Sequence, residues 1–112
     1  MVSEAFALAR KAGVDPAKVR EALLGGFAAS RVLDVHGERI LTKNYTPGFR
    51  AALYAKDYRI VSATLSQHNA PAPVSAVVQQ LVNALVANGK GEEDYSALAT
   101  VLFDLAGLDN EP

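Results

Sequence analysis

The sequence predicts an all-α protein, a compact bundle of about six helices, and three observations carry that expectation. Alanine, the best helix former, is the commonest of the 112 residues. Gly and Pro fall mostly between segments of helical period, where they punctuate turns. Strict apolar/polar alternation, the mark of a half-buried strand, is hard to find. The length suits a single domain covering residues 1–112.

The first helix is expected over residues 3–12. Ser3 is its N-cap, Glu4 sits in the first turn, Arg10 and Lys11 in the last, and Gly13 follows in a left-handed position. Its apolar residues cover much of its circumference, which reads as the tail of a longer helix. Asp15-Pro16 opens the second helix, with Val19, Ala22 and Leu23 inward, and Gly25-Gly26 closes it. Ser30 caps a third through Val32, Leu33, Ile40 and Leu41, with Gly37 weakening its middle. Asn44-Tyr45-Thr46-Pro47-Gly48 makes a turn with type II chemistry.

The fourth helix is the long one, residues 49–68, broken by Ala70-Pro71-Ala72-Pro73. The fifth has the cleanest period: Val74, Val77, Val78, Leu81, Val82, Leu85 and Val86, ending at Gly89. After the polar loop Gly91-Glu92-Glu93-Asp94, Asp94 caps a last helix whose stripe is Leu98, Val101, Leu102 and Leu105. The tail after Gly107 is expected to fray.

Composition excludes several classes of function. Eleven Lys and Arg against twelve Asp and Glu leave a net charge of -1, which argues against non-specific nucleic-acid binding. The lack of cysteine removes disulfides, thiol nucleophiles and thiolate metal sites. Neither histidine has a partner at metal-ligand spacing, so His36 and His68 read as surface or cap residues and no metal is expected. Glu92, Glu93 and Asp94 lack the spacing of a calcium loop and read as a solvated turn. No apolar run reaches the roughly 20 residues of a membrane span, and charges come too early for a signal peptide. A cytoplasmic protein is expected.

One patch stands out. With Leu53 as origin, the fourth helix puts Asp57 on the same meridian as Ile60, Val61, Thr64 and Leu65, with Phe49 and Lys56 on the same side. A buried unpaired charge costs several kcal/mol, so these charges either face a partner across a polar cleft or sit at the stripe edge and reach solvent. Both readings stay open on periodicity.

The order of motifs is more telling. SEAFALARKAGVDPAKVREALLGG is followed by Ala29-Ser30 and Val32-Leu33-Asp34, then by Asn44-Tyr45-Thr46-Pro47-Gly48-Phe49-Arg50 and Lys56-Asp57. Ala72-Pro73 and the stretch from Gly89 to Asp94 with Ser96-Ala97-Leu98 complete the set. It resembles the carboxy-terminal helical domain of the β-hydroxyacid dehydrogenase family over nearly the whole chain. The resemblance implies a fold like the carboxy-terminal domain of 6-phosphogluconate dehydrogenase, in a two-domain oxidoreductase using NADP or NAD. An amino-terminal Rossmann domain holds the dinucleotide there, and the subunits form dimers or tetramers.

It further implies that Lys56 contacts the cofactor, that Asp57 helps order the active site, and that Phe49 lines the cleft. The family's catalytic lysine lies in a segment before the first helix, so no catalytic residue is expected here and these residues alone are expected to be inactive. The implied reaction moves a hydride between nicotinamide and a short hydroxy acid or semialdehyde, with tartronate semialdehyde favoured over 3-hydroxyisobutyrate. The rival reading is a helical oligomerisation module without catalysis.

Overall fold

A computed structural model describes residues 1–110. It is all-α: helices α1 (Val2–Lys11), α2 (Pro16–Leu24), α3 (Arg31–Leu41), α4 (Ala51–Gln67), α5 (Pro73–Leu85) and α6 (Leu98–Leu105). Among the described residues the only extended pairing is one isolated antiparallel bridge between Arg50 and Asp94. The chain forms two compact units, one from Met1–Tyr45 with the residues from Ala99 on, the other Thr46–Leu98.

In the first unit, Phe6, Ala7, Leu33, Ile40, Ala99 and Phe103 form the core. Two caps follow the sequence: Asp15 accepts from the Ala17 N–H, and Ser30 from the Leu33 N–H. Gly13 takes φ +73, the conformation its position after α1 requires. The start of α1 differs from expectation: the helix begins at Val2, with Met1 and not Ser3 at the cap position. Ala22, expected inward, is exposed on α2, while Leu23 and Leu24 pack on the core.

Gly37 reads differently in the structure. It is buried, and a Cβ there would lie 3.2 Å from Arg20 Cδ and 3.5 Å from Phe6 Cζ. Arg20 crosses α3 at this point to reach the Asp34 carbonyl at 2.9 Å, the Asp34 carboxylate at 3.1 Å and Glu38 at 3.3 Å. The glycine that weakens the helix by propensity is what lets the guanidinium pass. The tail is also tied down as far as it is described. The Leu108 N–H donates to Phe103 at 2.8 Å, and the Leu108 side chain packs on the core. Glu111 and Pro112, on which the expectation of fraying also fell, lie outside the described residues.

In the second unit α4 packs on α5. Helix α4 starts at Ala51, so Phe49 precedes it, and Arg50 is its cap residue. Its buried positions are Ala51 and Ala55, with Tyr58, Ser62 and Leu65 half-buried along the same meridian. Leu65 apart, that is the opposite side from the expected stripe. At about 100° per residue, Leu53, Lys56, Asp57, Ile60 and Thr64 lie within about 60° of Leu53, and the buried line runs roughly 160° away. Ile60, Val61, Lys56, Asp57 and Thr64 are all exposed. Ala51, Ala55 and Ser62 on the inner line let helix backbones approach closely, and Ile60 and Val61 are left outside. In α5 the buried line runs through Val82 and Leu85, with Val74 and Val77 exposed although the sequence put them in one stripe. Gly89, at φ +82, breaks the helical conformation inside the wide turn 86–90 that follows.

Candidate functional site

Phe49, Lys56 and Asp57 all belong to the second unit, on the loop into α4 and on that helix's second turn. The Pro47-Gly48-Phe49 turn is fastened by Asp94, which is 1% exposed. Its Oδ1 accepts the N–H groups of Gly48 at 3.0 Å and Phe49 at 3.1 Å. Its Oδ2 accepts the Ser96 N–H at 3.0 Å and the Ser96 hydroxyl at 2.5 Å. Burial pushes this carboxyl up, but the hydrogen bonds from Ser96, Phe49 and Gly48 outweigh it and hold the pKa below its usual value.

Asp94 therefore corrects the reading of the acidic loop as solvated. It does act as a cap, on the short turn Tyr95–Ala97 that leads into α6 where the last helix itself was expected, and it does so from inside the fold. Glu92 does reach solvent and pairs with Arg50 at 2.9 Å. Two further backbone bonds tie the loop to the start of α4: Ala51 N–H to Glu93 and Ala52 N–H to Gly91, both 2.8 Å.

Phe49 is 38% exposed and sits edge-on to two tyrosines, Tyr95 at 5.9 Å and Tyr54 at 6.3 Å between ring centroids. Tyr54 also meets Tyr58 at 5.1 Å and Tyr95 at 4.7 Å. Burial, then the hydrogen bond with Tyr58, raises the Tyr54 hydroxyl to about 12. This aromatic cluster gives Phe49 a rigid backing on one side and leaves its other side open.

Lys56 and Asp57 are both exposed. Their side chains are exposed on adjacent positions of α4, and the Lys56 ammonium makes no hydrogen bond or ion pair among the described residues. The structure thus presents a half-exposed aromatic held by a fixed turn, with a lysine and a carboxylate on the exposed side of the helix that follows. It does not bury the carboxylate on an apolar stripe. Such a set can meet a charged, partly aromatic ligand: a cation for phosphate or carboxylate, a ring for stacking, an acid for a hydroxyl.

Sequence reasoning missed Asp94, Ser96, Tyr54, Tyr58 and Tyr95 as supports of the site. Two signals were present: the Asp-x-Ser spacing of a side-chain cap, and two tyrosines four residues apart.

The chain is similar to known proteins over most of its length. A family model described as "NAD-binding of NADP-dependent 3-hydroxyisobutyrate dehydrogenase" matches residues 1–102. The chain is 46% identical over 101 residues to the 2-hydroxy-3-oxopropionate reductase of Escherichia coli (strain K12), covering 90% of this chain and 35% of that protein. It is 35% identical over 99 residues to the probable 3-hydroxyisobutyrate dehydrogenase-like 1, mitochondrial, of Arabidopsis thaliana, covering 88% of this chain and 30% of that protein. The crystal structure of 3-hydroxyisobutyrate dehydrogenase from Salmonella typhimurium shares the fold, with a TM-score of 0.85 at 23% identity over 89% of this chain and 35% of that one. The chain spans about a third of the length of the curated relatives it matches.

Proposed function

Because the chain belongs to the NAD-binding domain family of NADP-dependent 3-hydroxyisobutyrate dehydrogenase, we propose that the exposed side of α4 with the Phe49 turn closes the nicotinamide cleft of a hydroxy-acid oxidoreductase. The observation that carries this is Lys56: an exposed ammonium without a protein partner, presented seven positions beyond a rigidly backed aromatic. An NADP or NAD bound in that cleft supplies hydride donor or acceptor chemistry.

This chain's own residues then have distinct tasks. Lys56 offers charge-assisted hydrogen bonds to a phosphate or carboxylate oxygen of the dinucleotide. Phe49 presents an apolar ring that excludes water from the reacting carbon. Asp57 accepts a hydrogen bond and orders the donors that approach it. A preceding Rossmann domain, with the catalytic lysine on its link to α1, supplies the remaining parts. Residues 1–112 alone are therefore inactive, and the chain works as a carboxy-terminal domain.

Tartronate semialdehyde, reduced to glycerate, is the preferred substrate in this reading. It is supported by the 46% identity to a protein named 2-hydroxy-3-oxopropionate reductase. A cytoplasmic location and a dimer or tetramer go with it. The test is a titration of NADPH and NADH against the full-length protein and against residues 1–112, with steady-state kinetics on tartronate semialdehyde and 3-hydroxyisobutyrate. The full-length protein is expected to turn over the first faster, and the 112 residues to show no activity. Turnover by residues 1–112 alone would overturn the division of labour.

A second reading has its own observation. Ile60 and Val61 on α4 and Val74 and Val77 on α5 are large apolar residues in the open. A helical module that self-associates through them, without catalysis, would show concentration-dependent mass in sedimentation and no cofactor affinity at any length of chain.

A further inference from the structure

We propose that Asp94 is a positioning residue for Phe49, setting the direction in which its ring meets the cleft. Only the catalytic consequence rests on the reading of Phe49 as a cleft residue; the positioning itself stands on geometry.

A cap needs one oxygen. Oδ2 of Asp94 fulfils that task on the Ser96 N–H, 3.0 Å away and two residues on. Nothing in capping calls for Oδ1 to reach residues 45 and 46 positions earlier, yet it accepts from both Phe49 and Gly48. The Phe49 carbonyl in turn accepts the Tyr95 N–H at 2.9 Å. The peptide groups on both sides of the Phe49 Cα are thus held by the 94–95 segment, which fixes the backbone from which the ring projects. Tyr95, in that same segment, also supplies one of the two rings that Phe49 meets edge-on.

The arrangement demands a carboxylate. Both oxygens accept, each from two donors, and Asp is the shortest side chain that can do so. Asparagine would turn an NH2 group toward N–H donors on one side or the other. The Ser96 hydroxyl, 2.5 Å from Oδ2, fixes the rotation of the carboxylate and so aims Oδ1.

The experiment uses the full-length protein carrying 4-fluorophenylalanine at position 49, with Asp94→Asn and Ser96→Ala made in it. In unlabelled protein Asp94→Asn is also combined with Phe49→Leu. The fluorine resonance is expected to shift or broaden in both position-94 and position-96 variants. Asp94→Asn should lower kcat about tenfold with the cofactor KM nearly constant, and should cost nothing more in the Phe49→Leu background. Should Asp94→Asn fail to fold, Ser96→Ala keeps the carboxylate and carries the test with a smaller loss of the same kind. An unmoved resonance, or an equal loss of kcat in both Phe49 backgrounds, overturns the proposal. A moved resonance with unchanged kcat keeps Asp94 as the residue that positions Phe49 and overturns instead the placement of Phe49 in the cleft.

Discussion

The Ser96 hydroxyl donates to Oδ2 of Asp94 at 2.5 Å, and both side chains are buried. Burial pushes the Asp94 pKa up, and the hydrogen bonds around it bring it below the ordinary value. A carboxyl whose pKa is lowered by folding stabilises the fold above its unfolded value of about 3.9, and that stability is lost as pH falls through the folded value. Thermal melts from neutral pH into acid should therefore show a stability loss beginning near pH 4 that is smaller in Asp94→Asn. An acid slope equal in the two proteins contradicts the assignment.

Gly37 faces the side chain of Arg20, whose guanidinium is held by Asp34 and Glu38 and has little room to move. Gly37→Ala gains about 1 kcal/mol of helix propensity but forces the crossing apart. The net effect should be a loss of roughly 1 kcal/mol. In an Arg20→Ala background the same change should stabilise, because only the propensity term remains. Denaturant unfolding of the four proteins measures both signs. A stabilising Gly37→Ala in the parent would show that Arg20 yields.

Lys56 and Asp57 are exposed, so their replacement should barely touch the fold: Lys56→Ala and Asp57→Asn should each stay within about 0.5 kcal/mol of the parent in unfolding. In the full-length protein Lys56→Ala should weaken dinucleotide binding about tenfold, with the loss shrinking at high salt. Asp57→Asn should lower kcat more than it raises the cofactor KM. Calorimetric titration and steady-state kinetics separate the two. Unaltered affinity in Lys56→Ala would remove the ammonium from the cofactor site.

Tyr54 should titrate late. With its hydroxyl raised to about 12 by burial and by Tyr58, folding favours its neutral form. That contribution is complete below the ordinary tyrosine value of about 10 and is lost as pH rises through the folded value. Absorbance at alkaline pH should show a delayed tyrosinate that is missing in Tyr54→Phe. Loss in Tyr54→Phe of a component that titrates near the ordinary value of about 10 would place Tyr54 in solvent.

The starts of α1 and α4 apart, helix boundaries were legible to within a few residues, and three caps were legible because they depend on neighbours in sequence. Asp15-Pro16, Ser30 and Asp94 all cap where their side chains can reach an N–H two or three residues on. The face of α4 was not legible. Apolar size pointed to Leu53 and Ile60, while the inner line runs through Ala51, Ala55, Tyr58, Ser62 and Leu65, most of them small or polar. Of the candidate site, Phe49, Lys56 and Asp57 were singled out by period and by motif order. That the charges reach solvent, and that Phe49 lies before the helix and not on it, required coordinates.

The chain alone determined its class, its six helices and most of their caps, since propensity, punctuation and period act over a few residues. Tertiary structure decided which side of each helix is inside, why α3 tolerates a glycine at its centre, and that a carboxylate from the acidic loop holds the Phe49 turn. Those outcomes depend on groups tens of residues apart meeting at about 3 Å, and no short-range pattern records such a meeting.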